Sequence, residues 1–337
     1  MARTAVVLMN LGGPDSPAAV RPFLMNLFSD PAIIRLPWVL RAPLAWLIAS
    51  RRAQTAATIY ARLGGASPLL ANTQAQACAL ETRLGSDYRT FVAMRYWHPT
   101  SIETARQVAR WEPDEVVCLP LYPQFSTTTT ASSLSAWGQA ARAAGLACPT
   151  RVVCCYPDEA GFVAALADLI RPALAEARGF AKPPRLLLTA HGLPQKIVDR
   201  GDPYQAQVER TARAVIAVLD EPELDWRVCY QSRVGPLAWI GPETETEIRR
   251  AGSAGVPLVV APISFVSEHS ETLVELDYDY RAVAQASGVP AYVRVPTVGV
   301  APDFIAALAL LVERARPAQA SCSAVSGGRC VRASQSA

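Results

Sequence analysis

Eight short runs of β-branched and apolar residues, separated by helix-length segments, constrain this chain more than any other feature. The first four are TAVVLMNLG (4–12), TFVAMRYWH (90–98), EVVCLPLYP (115–123) and TRVVCCYP (150–157). The second four are PRLLLTAHG (184–192), DWRVCYQSR (225–233), VPLVVAPISF (256–265) and PAYVRVPTV (290–298). Nearly all are continuous rather than alternating, the pattern of parallel strands covered on both faces by helices. The order of features also repeats. In each half one strand closes on a glycine and proline turn, the next ends in a basic or polar triplet, and the third holds an internal proline. The pattern predicts an α/β fold made of two similar doubly wound lobes, each with a four-stranded parallel sheet flanked by helices. The lobes are expected at 1–160 and 161–316, followed by a flexible tail, 317–337, rich in cysteine and serine. Such sheets bind ligands beyond the carboxyl ends of their strands, and two facing sheets would place them in the cleft between.

The polar residues sit where that geometry asks for them. Arg95, Tyr96 and His98 end the second strand, and Tyr122, Gln124 and the hydroxyl run 126–130 follow the third. His191 ends the fifth strand, Gln231, Ser232 and Arg233 the sixth, and Ser267, Glu268, His269 and Glu271 follow the seventh. His191 and the 268–271 group come from different strands of one expected sheet, so they can converge. Beyond them, Pro262 to Tyr280 reads as a strand running into a helix with an acidic stripe. At 100° per residue Glu268, Glu271, Glu275 and Asp279 fall on one face. Like charges at this spacing cost an isolated helix roughly 0.2–0.5 kcal/mol per pair, so the stripe is either a solvated face or a track for a divalent cation.

Several function classes are excluded or disfavoured. The net charge is +3, from 32 basic and 29 acidic residues without long basic runs, so nucleic acid is not an expected partner. No G-x-G-x-x-G pattern, P-loop lysine or G-x-S-x-G elbow follows a strand. The start MARTAVVLMNLGGPDSP reads as a first strand rather than a signal peptide, which predicts a cytoplasmic protein. Residues 33–49, IIRLPWVLRAPLAWLIA, are interrupted by two arginines and two prolines and fall short of the ~20 residues of a spanning helix. They form either a buried helix pair or an apolar lip that meets a greasy ligand or, peripherally, a membrane surface. A neutral imidazole with carboxylates makes a borderline-to-hard site, suited to Fe(II), Zn(II) or Co(II) and incomplete by itself, one that can pass a metal on.

These residues carry a family resemblance. NLGGPDSP (10–17), YARLGGASP (60–68), VAMRYWHP (92–99), LPLYPQFS (119–126), TAHGLP (189–194), RGDPY (200–204), YQSRVGPLAWIGP (230–242) and PISFVSEHSETLVELDYDY (262–280) resemble the motifs of the ferrochelatases, in family order and spacing. The resemblance implies two Rossmann-like lobes around a porphyrin cleft, the chelatase fold, and insertion of ferrous iron into protoporphyrin IX to form protohaem with release of two protons. By position, His191 and Glu271 resemble the metal-binding and proton-handling pair, and Glu275 and Asp279 the acidic path leading from it. Leu11, Tyr60, Ser67, Arg95, Tyr122, Trp239 and Phe265 match residues lining or bordering the porphyrin pocket, and 33–49 matches the lip over its mouth. Iron and porphyrin are then the partners, iron as substrate, with no cofactor required. Some ferrochelatases hold a [2Fe–2S] cluster on four cysteines. Cys322 and Cys330 in the tail, with Cys154 and Cys155, are the candidate ligands here, against a serine-rich tail with incidental thiols. The competing readings are a coproporphyrin ferrochelatase, a cobalt chelatase of the same fold, and a metal or haem carrier without turnover.

Overall fold

The run TAVVLMN becomes β1 (Thr4–Asn10), buried at every residue, as an unbroken apolar strand must be. β1 pairs in parallel with β2 (Tyr88–Met94) on one side and β3 (Glu115–Pro120) on the other, and β3 pairs with β4 (Thr150–Val152), giving the order β2-β1-β3-β4. Five helices belong to this unit: α1 (Val20–Phe28), α2 (Trp38–Ala61), α3 (Leu69–Leu84), α4 (Ser101–Trp111) and α5 (Thr130–Ala143). Val7, Met9, Ala93, Cys118 and Trp137 share its buried core. After β1 the chain turns at Gly12, where φ is +87° and an added Cβ would lie 3.1 Å from the Trp97 amide nitrogen. Only glycine meets both demands.

The second unit repeats the plan. α6 (Ala160–Ala177) precedes β5 (Arg185–His191), α7 (Gln195–Val198), α8 (Tyr204–Leu219), β6 (Asp225–Gln231), α9 (Thr244–Ala254) and β7 (Leu258–Pro262). A π-helix (Glu271–Asp279), α10 (Tyr280–Ala286) and β8 (Tyr292–Arg294) follow. The sheet is fully parallel in the order β6-β5-β7-β8, the order of the first sheet shifted by four. In each sheet the winding reverses beside the first strand, between β1 and β3 and between β5 and β7. Such a switch point leaves a crevice outside the carboxyl ends of the two strands.

The structure, a computed structural model, describes residues 3–317 except 234 and 236. One unit extends to Cys154 and takes up the chain again from Leu308, within α11 (Pro302–Glu313); the other is Cys155–Ala307. The sequence expectation set the division at 160 and kept 308–316 with the second lobe. The return of the chain has a visible cause: β9 (Arg316–Pro317) pairs antiparallel with β4, adding a fifth short strand to the first sheet.

Two local expectations change. Residues 33–49 form no helix pair, because 33–37 are turns and a single 24-residue helix starts at Trp38, directly after Pro37. Trp38, Val39, Leu40 and Trp46 stand exposed along it. Among the described residues no helix is long and apolar enough to cross a membrane. The acidic stripe, read at α-helical pitch, lies instead on the π-helix, and Glu268 precedes it. The chain does not enter the helix earlier because His269 and Thr272 close on each other first: the His269 amide donates to Thr272 Oγ1 at 3.0 Å and that hydroxyl to the His269 carbonyl at 3.1 Å.

Candidate active site

His191 is the last residue of β5, and Glu271 opens the π-helix reached from β7, so both stand at the switch point of the second sheet. His191 Nδ1 and Glu271 Oε2 are 3.0 Å apart. His269 approaches the same oxygen, with Nε2 at 3.7 Å. Its Nδ1 donates to the Ser267 carbonyl at 3.0 Å, and its ring packs against Phe265 with centroids 4.7 Å apart. The His191 and Glu271 side chains keep 38% and 29% of their surface, so the pair is held yet open to a ligand.

The pair is electrostatically coupled. Burial by itself pulls the His191 pKa down, but the Glu271 carboxylate and the hydrogen bond to it outweigh burial and leave the imidazole above its ordinary value. Burial likewise raises Glu271, yet the His191 charge, the His191 hydrogen bond and His269 hold its carboxyl well below the usual carboxylate range. An ionised Glu271 can only accept, so Nδ1 of His191 carries the proton between them and Nε2 of the neutral ring keeps a lone pair.

Behind Glu271, Glu275 is gripped by four donors. Gln231 Nε2 reaches its Oε2 at 3.1 Å, the Ser232 amide its Oε1 at 2.8 Å, the Ser232 hydroxyl its Oε2 at 2.5 Å, and the Tyr280 hydroxyl its Oε1 at 3.0 Å. Gln231 Nε2 also donates to the Glu271 carbonyl at 3.1 Å. Ser232 adopts φ +61°, a left-handed conformation that its two bonds to Glu275 hold in place. Burial first, then the Glu271 charge, raises the Glu275 pKa, and the Ser232 bonds do not cancel them. Asp279 is exposed on the last turn of the π-helix. Glu268 faces elsewhere: its Oε1 takes Arg294 Nη1 at 2.6 Å and the Thr297 amide at 2.9 Å.

Gly192 makes room beside His191. A Cβ there would lie 3.0 Å from the Gln231 carbonyl oxygen and 3.2 Å from the Trp239 ring, which is half-buried over this turn. Gly192→Ala is therefore expected to lower the stability of the second unit by about 1–3 kcal/mol through overpacking. Urea unfolding followed by tryptophan fluorescence checks it, and an unchanged midpoint would contradict the close approach.

In the first unit the predicted binding residues gather beyond β1, β2 and β3. Half-buried Leu11 packs against the cluster containing buried Tyr60 and Tyr96. Ser67 donates its amide to the Pro14 carbonyl at 2.7 Å. Tyr122 places its hydroxyl 3.3 Å from Ser133 Oγ, and burial pushes its pKa up. Arg95 turns inward, with Nη2 on Asp30 Oδ2 and Nε on Ser132 Oγ, both at 2.7 Å, and its guanidinium 4.8 Å from the centroid of the Tyr96 ring. The Tyr96 and Ser132 hydroxyls also donate to Asp30 Oδ2, at 2.7 and 2.5 Å.

The sequence reading did not name Asp30, Ser132 or Tyr280 as members of these sites, and it placed Gln231, Ser232 and His269 at strand ends without a role of their own. His269 had a signal, two residues before Glu271 beyond a strand end; Asp30, 65 residues from Arg95, had none. Cys155 is buried and accepts from Gln207 Nε2 at 3.6 Å, Cys154 is half-buried, and Cys322 and Cys330 lie outside the described residues. Among the described residues no group of three or more His, Cys, Asp or Glu is assembled to hold a metal ion. The described cysteines do not form a cluster ligand set.

Comparison with known proteins agrees with the geometry. The ferrochelatase family model matches residues 3–316. A protein named ferrochelatase from Phenylobacterium zucineum is 57% identical over 312 residues, 91% of this chain and 90% of that protein. One from Caulobacter vibrioides is 53% identical, covering 97% and 95%. Among solved structures, SirB from Bacillus subtilis with Fe3+ aligns with a TM-score of 0.52 at 10% identity, covering 97% of this chain and 99% of that one, a likeness of fold alone. A sirohydrochlorin chelatase SirB in complex with cobalt aligns with the same TM-score at 12% identity, over 92% and 94%. With the family's model spanning 3–316 and relatives above 50% identity over nine-tenths of the chain, this protein belongs to the ferrochelatase family.

Proposed function

We propose that this chain inserts ferrous iron into protoporphyrin IX, the macrocycle losing two pyrrole protons as the ion enters to form protohaem. The observation that carries the reading is the His191–Glu271 pair at the switch point of the second sheet, partly open and coupled at 3.0 Å. Insertion needs a proton acceptor and an attractor for a divalent ion in one place. Neutral His191, oriented through Nδ1 by Glu271, offers Nε2 to each pyrrole N–H in turn, and the imidazolium formed, stabilised by the carboxylate, gives its first proton to solvent before taking the second. Glu271, its carboxyl held well below the usual carboxylate range, attracts the ion and is its protein ligand together with His191, whose Nε2 meets the ion before that lone pair takes a proton. Glu275, then Asp279, lead outward along the π-helix as the path for metal or protons, Glu275 with its carboxyl held in place by its four donors. A flat macrocycle hides its nitrogen lone pairs, so a bent one is the form to be bound.

Leu11, Tyr60, Ser67, Arg95, Tyr122, Trp239 and Phe265 are the proposed porphyrin contacts. Arg95 serves as a held cation whose direction Asp30 sets. The exposed apolar face of α2 supports contact with the macrocycle or, peripherally, a bilayer surface. Among the described residues no cysteine is in a disulfide, which fits the proposed setting, a reducing cytoplasm that keeps iron ferrous.

Anaerobic incubation with Fe(II) and either protoporphyrin or coproporphyrin, followed through the metalloporphyrin spectrum, tests the reading. Turnover preferring protoporphyrin is expected. Preference for coproporphyrin, for cobalt with a corrin precursor, or binding without turnover would overturn it. The pH profile supplies a second check. Because His191 must be neutral to accept a proton and its pKa lies above the ordinary ~6.5, kcat/KM is expected to rise with pH through a limb above that value. Glu271→Gln removes the principal raising influence and leaves burial, so the limb of its residual activity moves down; a limb that stays in place would remove His191 from the base role.

A further inference from the structure

We propose that Arg294 is a positioning residue for metal insertion, a clamp on β8 that holds the π-helix in the register presenting Glu271. The proposal rests on the metal-insertion reading. Arg294 binds both sides of Glu271 in sequence. Its Nε and Nη2 meet Asp277 Oδ1 and Oδ2 at 2.9 and 2.7 Å, a two-pronged fork on the π-helix itself. Its Nη1 meets Glu268 Oε1 at 2.6 Å, on the segment that leads into that helix. A planar guanidinium is suited to such a grip, because its donors are fixed relative to one another. Arg294 is 12% exposed and sits in the sheet, paired with Val260 of β7. The anchor is thus tied to the sheet through β7.

The same strand fastens the π-helix a second time, from its other end. The Tyr292 hydroxyl donates to the Leu276 carbonyl at 2.8 Å, and Arg281, reaching back from α10, joins the Asp277 carbonyl at 3.1 Å to the Tyr292 carbonyl at 3.0 Å. A π-helix needs such support, since its i→i+5 bonding is rarely favoured over α-helical winding and persists mainly where a local function requires it. A slip toward α-helical winding would rotate Glu271 and Glu275 relative to each other, and with them the contact to His191. Glu268, first read as part of an acidic track, therefore acts through Arg294.

Hydrogen exchange and steady-state kinetics on the full chain, for the wild type, Arg294→Met, Arg294→Lys and Asp277→Asn, test the proposal. In Arg294→Met, amide exchange across 271–279 is expected to rise about tenfold while β5 stays protected. KM for ferrous iron should rise about fivefold, with KM for porphyrin unchanged and kcat lowered. Arg294→Lys, which keeps the charge but loses the fork, should recover only part of both, and Asp277→Asn should resemble Arg294→Met. If Arg294→Met does not fold, the lysine and asparagine variants carry the comparison. Wild-type exchange and wild-type iron KM in these variants would overturn the clamp, as would exchange rising throughout the second unit, β5 included. Absence of wild-type turnover would instead count against the metal-insertion reading.

Discussion

His191→Ala is expected to lower kcat for metal insertion by about 100- to 10,000-fold, the range associated with loss of a positioned general base, while porphyrin binding stays close to wild type. In the proposed reaction this side chain supplies the lone pair that takes the pyrrole proton, its ring oriented by a carboxylate 3.0 Å away. Removing it also leaves Glu271 beside His269 alone, whose Nε2 is 3.7 Å from the carboxylate. Folding should change little, because the His191 side chain is 38% exposed at a strand end and its backbone pairing is retained. Fluorescence quenching of porphyrin titrated with protein reads binding, and the metalloporphyrin spectrum reads turnover. A variant that retains wild-type turnover would remove His191 from the reaction.

The largest expected effect on stability belongs to Asp30→Ala. Asp30 Oδ2 receives Arg95, Tyr96 and Ser132, while its Oδ1 receives the Ala32 amide at 2.8 Å. The carboxylate side chain is 3% exposed. Alanine leaves a guanidinium and two hydroxyls without their acceptor in a site that water scarcely reaches, a loss of about 3–5 kcal/mol when one partner of a buried ion pair is deleted. Asp30→Asn keeps an acceptor oxygen but turns an amide N–H₂ toward donors, so its loss should be smaller but clear. Urea unfolding of both variants measures the difference, and a loss below about 1 kcal/mol for alanine would show that the network is not held by this residue. Because Arg95 takes its direction from Asp30, Asp30→Asn should also raise the KM for porphyrin.

Much of this was legible in the chain. Continuous apolar runs can hide both faces only between helices, so TAVVLMN and RLLLTAH announced buried parallel strands, and the repeated placement of glycine and proline turns announced a duplicated order. Residues at strand ends were legible for the same reason: where the apolar run stops and a histidine or carboxylate begins, the chain leaves the sheet. What escaped was anything set by partners distant in sequence. The acidic stripe was visible as a spacing, but helical pitch is not encoded in spacing alone, and here Tyr292, Arg281 and Arg294 brace the wider π winding from outside it.

Local periodicity, read over a few residues, by itself determined the strands, their burial and the likeness of the two halves, and it set His191 and Glu271 beyond strand ends of one sheet. Tertiary structure alone decided which carboxylates are free to act. Of four acids that looked equivalent on a helical wheel, one meets His191, one is gripped by Gln231, Ser232 and Tyr280, one stands exposed, and Glu268 is bound by Arg294. The physical reason is that a charge takes its role from the donors and charges around it, and those came from β6, β8 and α10, segments that no local pattern connects to the stripe.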